Sequence, residues 1–220
     1  PNPSHTVMLL PLALALPSTR LTTTTVVVTG PGVVSALGHG DDFFPNLLAG
    51  TSGISTIQNF DASRFPTTIG AEIHDFDPKP YFDNPKNAKA TDRYAHLAMA
   101  ATRIAIKDAA ISPEALASDR AAIIVGSAFG GMDTFEKQLL NMDKGKKVSP
   151  FSVPAMLPNT ASGIMAIELG CMGPNYGVVS ACAAGSHAIG DALRVLQYGD
   201  ADVALVGGAE APLTPFSYAG

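Results

Sequence analysis

The stretch SACAAGSHAIGDALRVLQYG, residues 180–199, sets Cys182 among alanines and glycines, where β-branched residues give way to a helical pattern. A cysteine thiolate is a strong nucleophile, and covalent acyl transfer is the chemistry it suits best. The carboxyl ends of strands are where ligands and catalytic groups gather in open α/β sheets. The amino end of the following helix adds unpaired N–H groups and the positive pole of the helix dipole. That environment lowers a thiol's pKa and offers backbone N–H groups to an oxyanion. Strand, small residue, nucleophile, helix is also the plan of the serine-hydrolase elbow. The pattern therefore predicts an acyl-enzyme on Cys182. The competing reading is a small buried hydrophobe, which free cysteine often is.

A base for that thiol is harder to find. His187 lies five residues further on, about 500° along a helix and so about 140° around the axis from Cys182. Residues three or four apart would share a face. His187 is instead expected to pack or hydrogen-bond in the core. His39, His74 and His96 fall in a turn, an irregular stretch and a helix face, and His5 lies in the tail, so none is aimed at the cysteine.

Other chemistries are excluded by the same inventory. Cys171 and Cys182 stand eleven apart with no CxxC or HxxxH, which leaves no zinc or iron–sulfur pattern and no expected metal. Two cysteines make no disulfide framework, so a reducing compartment is expected. A net charge of −5, with no basic run longer than KGKK at 144–147, argues against nucleic acid. VVVTGPGVVSALG imitates a dinucleotide loop, but Ser35 stands where the third glycine is needed, and no acidic residue follows at a strand end. No cofactor is expected.

The elements that must position Cys182 read as α/β. Val26 to Thr29 reads as a buried strand, and Asp41 to Ala49 as a helix closed by Gly50. Residues 51–90, rich in Pro, Asp, Asn and Gly, read as an irregular excursion. Asp92 to Ala110 has apolar residues at helical spacing, and SPE at 112–114 reads as a cap and first turn. AAIIVGS (121–127) reads as a buried strand, 128–158 as a long loop with some helix, and Asn159 as the cap of a helix ending at Gly170. YGVVS (176–180), a helix from Ala183 to Tyr198 with Gly199 after it, and DVALVGG (202–208) form a parallel, right-handed βαβ unit. The small residues of that helix suit close flanking on both sides within a layered fold.

Residues 1–25 stand apart, with a short apolar run from Leu9 to Leu16 and no acidic residue before Asp41. The run is too short to span a bilayer, and no stable membrane insertion is expected. The segment reads either as a targeting peptide or as a disordered extension, and Met8 could be the start of the natural chain.

SACAAGSHAIGDALRVLQYGDADVALVGGAEA, together with LLAGTSGI, GSAFGG, VSPFSVPAMLPNTASG, GPN and the closing GGAEAPLTPFSYAG, resembles the β-ketoacyl-[acyl-carrier-protein] synthases of the elongating type, and AGSHAIGDA resembles type II more than type I. The resemblance covers 26–220, which it marks as the synthase domain. It implies the amino-terminal half of a thiolase-like, layered αβαβα fold in a truncated chain. It also implies a decarboxylating condensation with malonyl-acyl-carrier protein that lengthens a fatty chain by two carbons. Cys182 is then the acyl-accepting nucleophile, with its own N–H an oxyanion donor. Phe129 and Ser152 would line the acyl channel, Ser152 from across a homodimer interface, and Ser217 is a further channel candidate. Relatives often carry a bulkier residue where Ser152 stands. Two histidines and a lysine complete the family's site in its second half, so this chain is expected to be inactive alone and to expose an apolar face. Acyl-carrier protein is the implied partner. Lys137, Lys144, Lys146 and Lys147 would form its docking surface, or else a solvated charge run. A polyketide ketosynthase, a thiolase, or a chain-length or structural subunit are the alternatives, and the retained Cys182 speaks against the last. A transit peptide would imply a plastid or mitochondrion, and otherwise the compartment is cytoplasmic.

Overall fold

A computed structural model of the chain describes residues 25–220. Its elements in order are β1 (Val34–Ser35), β2 (Gly38–His39), α1 (Phe43–Leu48), β3 (Ser55–Thr56), β4 (Ile69–Gly70), α2 (Pro85–Lys89), α3 (Arg93–Asp108), α4 (Pro113–Leu116), β5 (Ala121–Gly126), α5 (Met132–Asp143), α6 (Ser152–Met156), α7 (Thr160–Leu169), β6 (Asn175–Val178), α8 (Ala184–Tyr198), β7 (Val203–Gly208) and α9 (Pro215–Ala219). The expected targeting or extension segment lies outside the described residues, apart from its last position.

The organising element is a parallel sheet in the order β6-β5-β7. Every residue of AAIIVG in β5 is buried, as befits a central parallel strand covered on both faces. Alternation assigns the faces. Ile123 and Val125 pack with Tyr94, Met99, Ile164 and Met165 of α3 and α7. Ile124 points the other way, onto Ala188 and Ala192 of α8. The βαβ unit β6-α8-β7 is parallel as expected, but β5 lies between its two strands.

Local chemistry sets most boundaries. Asp92 caps α3 by accepting from the Tyr94 N–H at 3.3 Å, and Ser112 caps α4 through the Ala115 N–H, with Pro113 in the first turn. Gly170 and Gly199 close α7 and α8 at φ 72° and 78°, the left-handed conformation glycine adopts without strain. Asn159 precedes α7 as expected, but its side chain makes no capping bond; its carbonyl accepts from Gly163 N–H and the Ser162 hydroxyl instead.

Two expectations are corrected. Val26 to Thr29 forms no strand, and Val28 is 90% exposed, because no neighbouring strand among the described residues pairs with it. α8 is closely flanked on the sheet side only: Ala184, Ala188 and Ala192 are buried while Ile189 and Leu193 on the opposite face are exposed.

The dinucleotide-like glycines have a different use. A β-carbon on Gly32 would stand 2.0 Å from the Ala101 carbonyl oxygen, and one on Gly30 would stand 2.5 Å from the Ala109 nitrogen. These glycines let the 30–32 loop lie directly on α3.

Candidate active site

β6, β5 and β7 release their chains side by side at one edge of the sheet. Gly126 is paired with Val178 and Gly208. The Ser127 N–H donates to the Val178 carbonyl and the Ala209 N–H to the Gly126 carbonyl, at 3.0 Å each. The residues leaving that edge are 179–183, 127–131 and 209–210.

Cys182 sits there, exposed, two residues before α8 and not within it. The turn that presents it is strained: Ala181 has φ 50°, in the left-handed region, where a side chain costs roughly 1–2 kcal/mol. Residues 180 and 182 close on each other around it. The Ala183 and Ala184 N–H groups donate back to the Ser180 and Ala181 carbonyls. Glycines set how deeply α8 enters. A β-carbon on Gly126 would stand 2.3 Å from the carbonyl carbon of Ala184, and one on Gly185 would stand 3.3 Å from the Gly208 Cα, a tight contact. Small residues bring the helix start, and Cys182 with it, down onto the strand ends.

Among the described residues His187 makes no hydrogen bond to Cys182, and because Cys182 lies before α8 the helical angle expected between them does not apply. Nor does His187 lie in the core; it is exposed, and its Nδ1 hydrogen-bonds the Ser180 hydroxyl at 2.7 Å. It steadies the residue two before Cys182. Each remaining described histidine is placed elsewhere. His96 Nε2 bonds the Ala88 carbonyl at 2.7 Å, and burial lowers its pKa. His74 stands 3.7 Å from buried Glu72, and His39 lies edge-on to Phe76. Among the described residues no cluster of His, Cys, Asp and Glu could hold a metal. Cys171 is half-buried, and burial raises its pKa, which disfavours its thiolate.

Of the expected channel residues, Phe129 stands 54% exposed at the same sheet edge. Ser152 begins α6 and is buried, with its hydroxyl donating to the Ser149 carbonyl at 2.6 Å. The two are linked through Gly130 and Gly131, which pack on the 155–158 backbone, and through the Gly131 N–H to the Met156 carbonyl. Ser217 is tied locally instead, its hydroxyl 3.2 Å from that of Thr214 at the start of α9.

Sequence reasoning missed Glu210. Its carboxylate accepts from the Ala128 N–H at 2.6 Å, the Phe129 N–H at 3.2 Å and the Ser127 hydroxyl at 3.2 Å. A lone acid inside the apolar stretch GGAEAP was the available signal.

A parallel sheet with helices on both faces, and a cysteine-bearing turn at its carboxyl edge, fits the thiolase-like class. Solved ketosynthases share this fold. The ishigamide ketosynthase/chain length factor superimposes with TM-score 0.80 at 30% identity, covering 88% of this chain and 49% of its own. A β-ketoacyl synthase from Burkholderia phymatum gives 0.77 at 27%, over 87% and 48%. AntDE:AntF, a type II polyketide acyl-carrier protein in complex with its ketosynthase, gives 0.72 at 27%, over 87% and 46%.

The chain belongs to the β-ketoacyl synthase family: residues 23–220 match the Beta-ketoacyl synthase, N-terminal domain. It is 44% identical over 198 residues to 3-oxoacyl-[acyl-carrier-protein] synthase 2 of Synechocystis sp., covering 89% of this chain and 47% of that protein. It is 40% identical over 200 residues to the same-named protein of Staphylococcus aureus, covering 89% and 48%. The chain thus spans about half the length of the curated relatives it matches.

Proposed function

We propose that this chain is the nucleophile-bearing half of a 3-oxoacyl-[acyl-carrier-protein] synthase that elongates fatty acids. The carrying observation is Cys182, exposed at the sheet's carboxyl edge and presented by a left-handed Ala181 just before α8. The Cys182 thiolate attacks the thioester carbonyl of an acyl-carrier protein; the C–S bond to the carrier breaks, the carrier's sulfur leaves as a thiolate, and the acyl group stays on the Cys182 sulfur. The N–H of Cys182, near the positive pole of α8, receives charge from the tetrahedral oxygen. Malonyl-carrier protein then loses carbon dioxide. The electron pair of the broken C–C bond forms the enolate, which attacks the Cys182 thioester. A new C–C bond forms, the C–S bond breaks, and the pair returns to sulfur. The product is a 3-ketoacyl-carrier protein two carbons longer.

The two histidines and lysine that the resemblance requires for decarboxylation are not among these 220 residues, so this chain alone takes up an acyl group without condensing it. A fatty-acid substrate is favoured over a polyketide one because the synthase 2 relatives are 40–44% identical, against 27–30% for the ketosynthase structures. An acidic carrier protein would dock at the carboxyl end of α5, where Lys144, Lys146 and Lys147 are exposed; Lys137 is engaged by Asp133 at 2.6 Å. A second copy would cover Phe151 and Val153, which flank Ser152 and are 55% and 60% exposed. On the composition of residues 1–25, the compartment is a plastid or mitochondrion if they are a transit peptide, and cytoplasmic otherwise.

The test is to treat the protein with an octanoyl thioester or with cerulenin and map the adduct by mass spectrometry. Modification at Cys182 that vanishes in Cys182→Ala is expected. Modification at Cys171, or at neither cysteine, refutes the assignment, and 3-ketoacyl product from the 220-residue chain refutes its need for the second half.

A further inference from the structure

We propose that His187 is a positioning residue for acyl transfer, acting through Ser180 to hold the turn that presents Cys182. This deepens the reading of Cys182 as the acyl carrier and rests on it. Cys182 is the third residue of a turn that begins at Ser180 and is closed by the Ala183 N–H, which donates to the Ser180 carbonyl at 3.2 Å. The second residue, Ala181, has φ 50°, a conformation that a residue with a side chain keeps only when its surroundings hold it there. Ser180, at the start of the turn, is held twice. Its carbonyl takes the Ala183 N–H, and its hydroxyl meets His187 Nδ1 at 2.7 Å.

The second of these bonds reaches the packed body of α8. The His187 N–H donates to the Ala183 carbonyl at 2.9 Å, and the next residue, Ala188, is buried against Ile124 of β5. The other bonds of the turn are internal to it, from the Ala183 and Ala184 N–H groups to the Ser180 and Ala181 carbonyls. The imidazole therefore carries the rigidity of a sheet-packed helix back to a turn that otherwise closes only on itself. His187 is exposed, so its removal opens no cavity in the core. Acyl transfer depends on this turn more than simple alkylation does. Sulfur must meet the carbonyl carbon while the Cys182 N–H meets the tetrahedral oxygen, and the turn sets the placement of one against the other. An alkylating reagent needs only an exposed sulfur.

The test compares acylation of Cys182 by an octanoyl thioester with its alkylation by iodoacetamide, both mapped by mass spectrometry. The proteins are the parent, Ser180→Ala, His187→Phe, the double variant, and the conservative Ser180→Thr and His187→Asn. Threonine keeps the hydroxyl, and asparagine keeps a hydrogen-bonding atom near the place of Nδ1. Either single loss is expected to lower the acylation-to-alkylation ratio about fivefold, within the roughly twofold-to-tenfold worth of one hydrogen bond. The double variant falls no further, because both changes remove the same bond. The conservative variants stay within about twofold of the parent. An unchanged ratio in either single variant, losses that multiply in the double, or conservative variants that fall as far as the deletions overturn the proposal. A second measurement needs no catalysis. Amide hydrogen exchange in fragments spanning 179–186 should quicken about fivefold in both single variants, and exchange at the parent rate overturns the proposal equally. Failure of the octanoyl thioester to acylate the parent counts against the catalytic reading of Cys182 alone, and the exchange result then decides whether His187 holds the turn.

Discussion

Replacing Gly126 by alanine tests whether glycine spacing is what delivers Cys182 to the sheet edge. The added carbon would stand 2.3 Å from the Ala184 carbonyl carbon, 2.4 Å from its oxygen and 2.5 Å from the Gly185 nitrogen. Carbon atoms rest about 3.5–4.0 Å apart, so the start of α8 must recede by about 1.2 Å. All three obstacles are main-chain atoms, and no side chain can rotate to relieve them. Withdrawal loosens the contacts of Ala184, Ala188 and Ala192 with the sheet. Overpacking of this kind costs about 3 kcal/mol, the upper end of the usual range. With an m-value of about 2 kcal/mol per molar urea, the unfolding midpoint should fall by about 1.5 M. Gly190 provides the contrast within the same helix, because a β-carbon there meets nothing within 4 Å. Gly190→Ala should raise stability by about 0.5–1 kcal/mol, the helix-propensity gain. The assays are urea unfolding and the rate of Cys182 alkylation, which should change only in Gly126→Ala. Equal midpoints for parent and Gly126→Ala, or the same direction of shift for both variants, would refute the spacing argument.

Two further outcomes concern pH. The Tyr94 hydroxyl donates to the Leu157 carbonyl and accepts from the Ala161 N–H at 3.2 Å, and burial pushes its pKa up to about 12. Its stabilising contribution is complete below the unfolded value of 10 and is lost as pH rises towards 12. Denaturant titrations across that window should show the parent losing roughly 2–3 kcal/mol that Tyr94→Phe does not lose, and parallel curves would contradict this. At the opposite edge of the sheet, Arg120 grips Asp202 with bonds of 2.7 and 3.1 Å, holding the carboxyl below its ordinary range. That contribution is present above the ordinary carboxylate pKa and disappears as pH falls through the lowered folded value. Calorimetry should find Asp202→Asn slightly less stable than the parent at neutral pH and level with it in strong acid. A difference that persists in acid would contradict the pairing.

How much of this was legible in the sequence depends on whether the cause was local. β5 could be read because AAIIVGS is continuously apolar, and α3 because its apolar period lies within one segment. Cys182 could be read because the strand-to-helix switch is itself local. Val26 to Thr29 misled for the same reason: β-branched residues announce a strand, but only a partner makes one. The position of β5 between β6 and β7 was not legible, since pairing order is decided by contacts across tens of residues. Acids that anchor backbone formed a second blind spot. Glu72 accepts from the Gln58 and Asn59 N–H groups, Glu168 from those of Asp83 and Asn84, and Glu210 from the loop after β5. Each fixes an irregular backbone remote from it in sequence, and composition cannot tell such an anchor from a solvated charge.

The central place of β5 has a consequence for biosynthesis. Arg120 at its base waits for Asp202, 82 residues later, before that side of the strand is closed. At ribosomal speeds of about 5–20 residues per second, the delay is roughly 4–16 s. Throughout that interval the nascent chain displays its most apolar strand without its second neighbour. The same pairing that later seats the Cys182 turn makes this segment one for cotranslational chaperones to shield.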